Sequence, residues 1–151
     1  KRVAIGKTIF LPFVWMYVTT FLPIAIDDQH WGLPAALLCI HRFFLIYAIC
    51  ILFHLRDQQK VRQEGIKSMI TQMNRQQVSI IYYGILLAFF VVSIWMLAYG
   101  SLPMAAALIV PGLLLLLLYK WFIQHTSDYN YYFLLDGLMV FSLPLMLIFQ
   151  F

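Results

Sequence analysis

A polar segment between two long apolar runs carries most of the side chains with which this chain could do chemistry in water. It extends from Phe53 to Ser68. His54 and Asp57 are three residues apart, a spacing that puts both side chains on one face of a helix. The basic residues of the segment could bind phosphate oxygens. Loops on the cytoplasmic side of a membrane are also rich in Lys and Arg without any such role. The candidate phosphate-binding bases are Lys60, Arg62 and Lys67.

Each of the two candidate side chains at the start of the segment also has a structural interpretation. Asp57 could pair with Lys60 or Arg56 at the membrane interface, and His54 could do no more than donate a hydrogen bond to Asp57. An ionisable residue within an apolar run is a functional candidate by default. One such residue is Asp136, which could instead form an ion pair with Lys120 or Lys67. The others are His41 and Arg42, which lie about one turn inside the second apolar run.

The composition indicates that the bilayer is the solvent for most of the chain. Of 151 residues, 64% are hydrophobic and 11% are charged, whereas a soluble domain has about 25% charged residues. The net charge of +4 comes from bases that lie between or beside apolar runs. Because these bases do not alternate with exposed aromatic residues, membrane topology explains them and a nucleic-acid partner is not expected. Membrane lipid is the expected partner.

Five apolar runs are long enough to cross a bilayer, and they must be helices because open strands leave backbone groups unpaired in lipid. We therefore predict an all-α integral membrane protein in which residues 1–151 form one domain. The distribution of bases puts the N-terminus and the loop 56–77 in the cytoplasm and the C-terminus outside. The predicted spans are 8–26, 33–53, 78–99, 102–122 and 131–151.

Local patterns add detail to two of these elements. The early part of the loop could extend the helix of the second span, with Gly65 as its natural stop. Apolar residues at helical spacing then predict a short amphipathic helix on the membrane. Cys39 and Cys50 lie in one apolar run, about 16 Å apart along a helix, so no disulfide is expected between them. The apolar positions of the amphipathic helix are Ile66, Met69, Ile70 and Met73.

The polar segment resembles the second aspartate-rich motif of the UbiA superfamily of intramembrane prenyltransferases, which reads approximately F-D-I-R-D-x-E-x-D-x-x-x-G-I-K-T. The matching stretches are 53–57 and 65–68, and both Arg42-Phe43-Phe44 and residues 132–139 are similar to bacterial members. The resemblance covers the whole chain but half of the family's nine-span fold. The first half carries the motif N-D-x-x-D-x-x-x-D, which does not occur here. A missing N-terminal half is therefore an expected partner, and a bacterial inner membrane is the expected location.

The resemblance implies transfer of a prenyl group from a polyprenyl diphosphate to an acceptor, with Mg²⁺ ions bridging the diphosphate. It makes Asp57 a metal ligand and the nearby bases the diphosphate ligands. The motif is incomplete, because His54 and Val61 stand where the family has aspartates. Valine offers Mg²⁺ no ligand atom and imidazole is a poor one. We therefore predict that Mg²⁺ and diphosphate bind weakly to this half of the site.

The leading hypothesis is a membrane protein related to UbiA-type prenyltransferases that is inactive as this fragment, so no catalytic residue is assigned. The alternative is a non-catalytic lipid-binding or scaffolding subunit descended from the same family. A third class, a small transporter, depends on Arg42 and Asp136 alone. An N-D-x-x-D-x-x-x-D motif upstream of Lys1 would favour the enzyme over the subunit.

Overall fold

The computed structural model describes residues 2–26, 32–63, 75–99, 102–124 and 137. Nearly all of these residues are helical and none of them forms a strand, which confirms the all-α class for this part of the chain. The helices in chain order are α1 (Arg2–Met16), a π-helical turn (Tyr17–Phe21), α2 (Leu22–Ile26), α3 (Leu33–Gln63), α4 (Arg75–Leu97) and α5 (Leu102–Gln124).

Three helical stretches are long and apolar enough to cross a membrane: Ile9–Ile26, Leu33–Phe53 and Gln76–Leu97. A hydrocarbon core about 30 Å thick needs about 20 such residues. The chain is therefore a helical membrane protein. The fourth predicted span, 102–122, coincides with α5, whose described apolar stretch is Leu108–Lys120. The fifth predicted span, 131–151, lies outside the described residues, so the count of five stays a prediction.

The first span changes helix type shortly before Pro23. The Leu22 N–H donates to the Tyr17 carbonyl, five residues back, which closes the π-helical turn. Proline has no N–H, so Pro23 cannot donate to the Thr19 carbonyl as a regular α-helix would require. The Thr19 hydroxyl donates to the Trp15 carbonyl at 2.7 Å within the same stretch. The wider turn is a common response where a helical hydrogen-bond ladder is interrupted.

The central element is α3, which packs against α1, α4 and α5. Its early residue Leu37 meets Met96 near the end of α4 and Leu108 on α5, whereas its later residue Leu52 lies with Val78 at the start of α4. The helix α4 therefore runs antiparallel to α3, whereas α5 runs in the same direction as α3. Cys39 and Cys50 are both buried and free. The main core is formed by Leu45, Ala48, Ile49, Ile51, Leu52, Val78, Tyr82, Ile85, Leu86, Phe89, Leu115 and Tyr119.

The segment predicted as the loop 56–77 is helical at both of its ends. The helix of the second span continues without interruption to Gln63, in agreement with the prediction that the early part of the loop could extend it. Helix α4 begins at Arg75. The 31 residues of α3 correspond to about 46 Å of helix, more than the hydrocarbon core of a bilayer needs. The end of α3 therefore projects beyond the apolar stretch. Gly65 and the predicted amphipathic helix lie outside the described residues.

Candidate functional site

Four of the six predicted site residues belong to the projecting end of α3: His54, Asp57, Lys60 and Arg62. Lys67 and Asp136 lie outside the described residues. The helix forms here because residues 54–63 contain neither glycine nor proline and are rich in the good helix formers Leu, Arg, Gln and Lys. The polar segment is therefore presented on a regular helix that continues from a membrane span.

The helical register sorts these residues into two sides of α3. Each residue turns the helix by about 100°, so His54, Asp57 and Val61 fall within an arc of about 60°. Lys60 follows Asp57 by one turn and is about 60° from it, but Arg62 is about 140° away. The register therefore groups Lys60 with the aspartate and separates Arg62 from both.

The line of α3 that carries the motif passes both buried and partly open positions of the span. Going backwards from His54, steps of four and three residues lead through Cys50, which is buried, to Tyr47, Phe43 and Ile40. Ile40 is 45% exposed, and Phe43 and Tyr47 are half-buried. The buried line of α3, by contrast, runs through Leu45, Ile49 and Leu52 and packs against α4 and α5. The motif line is thus partly open from Ile40 to Tyr47 and covered at Cys50, one turn before His54.

By residue type, positions 54, 57 and 61 offer Mg²⁺ only one oxygen-bearing side chain. Mg²⁺ takes oxygen ligands in near-octahedral geometry. Asp57 supplies one carboxylate, His54 supplies an imidazole and Val61 supplies no ligand atom. Among the residues whose side chains are described, no group of three or more His, Cys, Asp or Glu could hold a metal ion. One carboxylate and one imidazole within an arc of α3 are fewer ligands than Mg²⁺ requires.

A second candidate lies deep in the bundle at His41, which is 1% exposed. It is eight residues after the start of α3, about 12 Å along the helix, and so about two turns inside the span rather than one. Its ring packs on Phe89 of α4, with ring centroids 4.3 Å apart. Neither ring nitrogen forms a hydrogen bond with the described residues, although the Leu108 backbone is close enough to interact electrostatically with the ring. An unpaired imidazole inside a span is unfavourable, which makes His41 a functional candidate.

Close approach of α4 and α5 holds the ring that His41 contacts. Pro111 and Gly112 are both buried on α5. A Cβ atom added to Gly112 would overlap the ring of Phe89, which is itself fully buried. Phe89 is therefore clamped between His41 and the α5 backbone, and Gly112 is required because no side chain fits there. Small residues serve this purpose at many membrane helix contacts.

A cluster of hydroxyl groups joins α4 to α5 at the opposite end of the bundle, where α4 begins. The Ser79 and Tyr119 hydroxyls are 2.5 Å apart, and the Tyr82 hydroxyl donates to the Leu115 carbonyl at 3.1 Å. The rings of Tyr82 and Tyr119 stack with centroids 4.6 Å apart, and Tyr83 meets Tyr119 edge to face. This Tyr119 cluster (Ser79, Tyr82, Tyr83 and Tyr119) was absent from the sequence candidates. Its sequence signal is three hydroxyl side chains within two turns of an apolar run.

We expect the hydroxyl bond between Ser79 and Tyr119 to stabilise the α4–α5 contact by about 0.6 kcal/mol, the typical value for such pairs in membranes. A double-mutant cycle of Ser79→Ala and Tyr119→Phe, followed by unfolding in mixed micelles, measures this coupling. Ser79→Ala combined with Tyr82→Phe is the control pair and should be additive, since Ser79 and Tyr82 share no hydrogen bond. A coupling of zero for the first pair would contradict the assignment.

Comparison of this chain with family models, curated proteins and solved structures finds no match. The fold defines the class, a helical membrane protein, and the relation to the UbiA superfamily stays a prediction from the motif residues.

Proposed function

We propose that this chain is the second half of a lipid-diphosphate-binding membrane protein related to UbiA-type prenyltransferases, and that it does not transfer prenyl groups by itself. The observation that carries the proposal is the uninterrupted helix from Leu33 to Gln63. It supports a site in which a motif for a charged headgroup stands directly above an apolar span. A prenyl diphosphate has the matching form, a long apolar chain attached to an anionic head.

The chemistry proposed for this face is charge neutralisation of the head group by side chains. Lys60 supplies the cation, one turn from Asp57 on the same side of α3. In this proposal the negative charge of Asp57 disfavours an anion that is not accompanied by a metal. The partly open positions Tyr47, Phe43 and Ile40 are suited to the apolar tail, although buried Cys50 lies between them and the motif. No transfer step is assigned to these residues.

The test is prenyl transfer and diphosphate binding by the purified full chain in micelles. We expect no turnover above background with farnesyl diphosphate, an aromatic acceptor and Mg²⁺. We expect Lys60→Gln to weaken binding of farnesyl diphosphate about fivefold, since one charge at close range is worth about 1 kcal/mol in water. Arg62→Gln, on another side of α3, is the matched control and should bind as the wild type does. Turnover by the wild type, or equal loss in both variants, would refute the proposal.

Asp57→Asn gives a test that separates charge neutralisation from metal bridging. Because Asp57 repels a bare diphosphate, we expect the variant to bind farnesyl diphosphate about fivefold more tightly. The measurement is made with and without Mg²⁺ in the buffer. If Asp57 instead holds Mg²⁺ with ligands from the rest of the chain, the variant would lose Mg²⁺-dependent binding. The sign of the change decides between the two.

A non-catalytic lipid-binding subunit is the second candidate, and Val61 and His54 favour it. Two positions at which the resembling family carries carboxylates hold a hydrocarbon and an imidazole here. A subunit of this kind would bind the lipid chain without needing the diphosphate. It predicts that farnesol and farnesyl diphosphate bind with equal affinity, whereas the first proposal predicts a preference for the diphosphate.

A further inference from the structure

One layer of residues divides the buried core of the bundle into two apolar clusters. The smaller cluster takes one residue from each of three helices, Leu37, Met96 and Leu108. On α3, His41 lies halfway between Leu37 and Leu45 of the main core. The positions between the same two clusters are Ser93 on α4 and the pair Pro111 and Gly112 on α5. All four residues of this His41 layer (His41, Ser93, Pro111 and Gly112) are buried.

The His41 layer interrupts the apolar core with hydrogen-bonding groups. The Ser93 hydroxyl donates to a backbone carbonyl of its own helix at 2.8 Å, and its oxygen still has lone pairs that can accept. Pro111 has no N–H and cannot donate to the Ala107 carbonyl four residues back. Neither nitrogen of His41 forms a hydrogen bond with the described residues, although the Leu108 backbone lies near the ring. Acceptors are therefore present beside a ring that has no described partner.

The titratable groups around the layer do not offset a charge on this ring. No side chain is titratable from residue 86 to 96 of α4 or from 108 to 118 of α5. In the first span and the outer half of the second, the titratable side chains besides His41 are Tyr17, Cys39 and Arg42. Arg42, the charged one, directly follows His41 and has the same sign as an imidazolium. A proton on His41 therefore adds positive charge to a largely apolar core, which is unfavourable.

Movement of the imidazole is linked to the position of α5. Phe89 lies between the His41 ring and the α5 backbone at Gly112, where no Cβ atom would fit. Since His41 is 1% exposed, water reaches its ring only if the surrounding helices separate. Pro111 provides the place for this, because a helix bends where a hydrogen bond of its ladder is missing. Hydration of the ring and displacement of α5 are therefore one event.

We propose that His41 is a proton-operated switch: when its ring takes up a proton, α5 moves away from α3 at the His41 layer and water enters. The closed bundle is favoured while the ring is neutral. An imidazole in contact with water takes up a proton near pH 6.5. The open state therefore gains protons below that pH, and opening, negligible above about pH 7, increases as the pH falls. The layer is about 12 Å along α3 from the end predicted to face outside.

Hydrogen–deuterium exchange of the full chain in micelles, at about pH 7.5 and about pH 5, measures the opening of α5 around Gly112. Acid slows the chemistry of exchange in every peptide, so each rate is divided by that of His41→Leu at the same pH. We expect this ratio to rise about 30-fold from the higher to the lower pH, the factor given by proton uptake near pH 6.5 in the open state alone.

Two control variants separate protonation of His41 from other effects of acid. His41→Gln keeps a polar side chain that takes up no proton, so its ratio should not change with pH. His54→Gln removes a histidine from the projecting end of α3 and should keep the rise of the wild type.

An unchanged ratio in the wild type, or an equal rise in His41→Gln, would overturn the proposal. A rise of equal size in peptides from every helix would also overturn it, because acid would then unfold the whole bundle rather than displace α5. Neither Asp57 nor Lys60 belongs to the His41 layer, so failure of the diphosphate proposal would not affect this result.

Discussion

Gly112→Ala is expected to destabilise the helix bundle by about 1–3 kcal/mol, the range measured for overpacked cores. The added methyl group would overlap the ring of Phe89, and that ring cannot withdraw because His41 packs against it. The α4–α5 contact must therefore open, or Phe89 must leave its preferred rotamer. Thermal unfolding in detergent micelles, followed by circular dichroism, measures the change.

Gly84→Ala is the matched control, since a Cβ atom at that exposed position of α4 would meet nothing within 4 Å. Alanine is intrinsically better than glycine in a helix by about 1 kcal/mol, so this variant should be at least as stable as the wild type. Phe89→Leu should recover part of the stability when combined with Gly112→Ala, because it removes the ring atoms in conflict. A Gly112→Ala variant as stable as Gly84→Ala would show that α4 and α5 do not approach so closely.

The spans could be predicted because lipid imposes a single rule on every stretch of backbone within it. The predicted runs 33–53 and 78–99 match the apolar stretches Leu33–Phe53 of α3 and Gln76–Leu97 of α4 closely, since about 20 apolar residues must be helical there. The polar sequence after Phe53 permits the helical extension of α3 but does not require it, because the apolar pattern ends at Phe53. Beyond that point the helix depends on local propensity, which is a weaker signal than burial.

The contacts between helices could not be predicted, because hydrophobic and polar residues show little helical periodicity along these spans. A membrane helix is apolar on all sides, so its sequence does not mark which side meets a neighbour. Gly112 and Phe89 are 23 positions apart, and no local pattern connects them. The Ser79–Tyr119 bond depends in the same way on the packing of α4 against α5. The motif residues were visible because they are polar, whereas the division between Lys60 and Arg62 required the observed helix.

His41→Leu is expected to stabilise the bundle by about 1–3 kcal/mol, the penalty for burying a polar group without a partner. Leucine is close to histidine in volume, so the contact with Phe89 is kept while two unpaired nitrogens are removed. His41→Ala is expected to do the opposite and lower stability by about 2 kcal/mol or more, because it leaves a cavity beside a fully buried ring. Both variants are measured by unfolding in micelles against the wild type.

The stability and the lipid binding of His41→Leu together show whether the buried histidine has a function. A His41→Leu variant that gains stability but loses lipid binding would assign the imidazole a functional role, since natural proteins keep unfavourable groups where function needs them. A variant that gains stability and keeps binding would make His41 a tolerated packing residue. A His41→Leu variant that is less stable than the wild type would contradict the prediction. The imidazole would then have a hydrogen-bond partner outside the described residues, and removing that partner by mutation should cause the same loss.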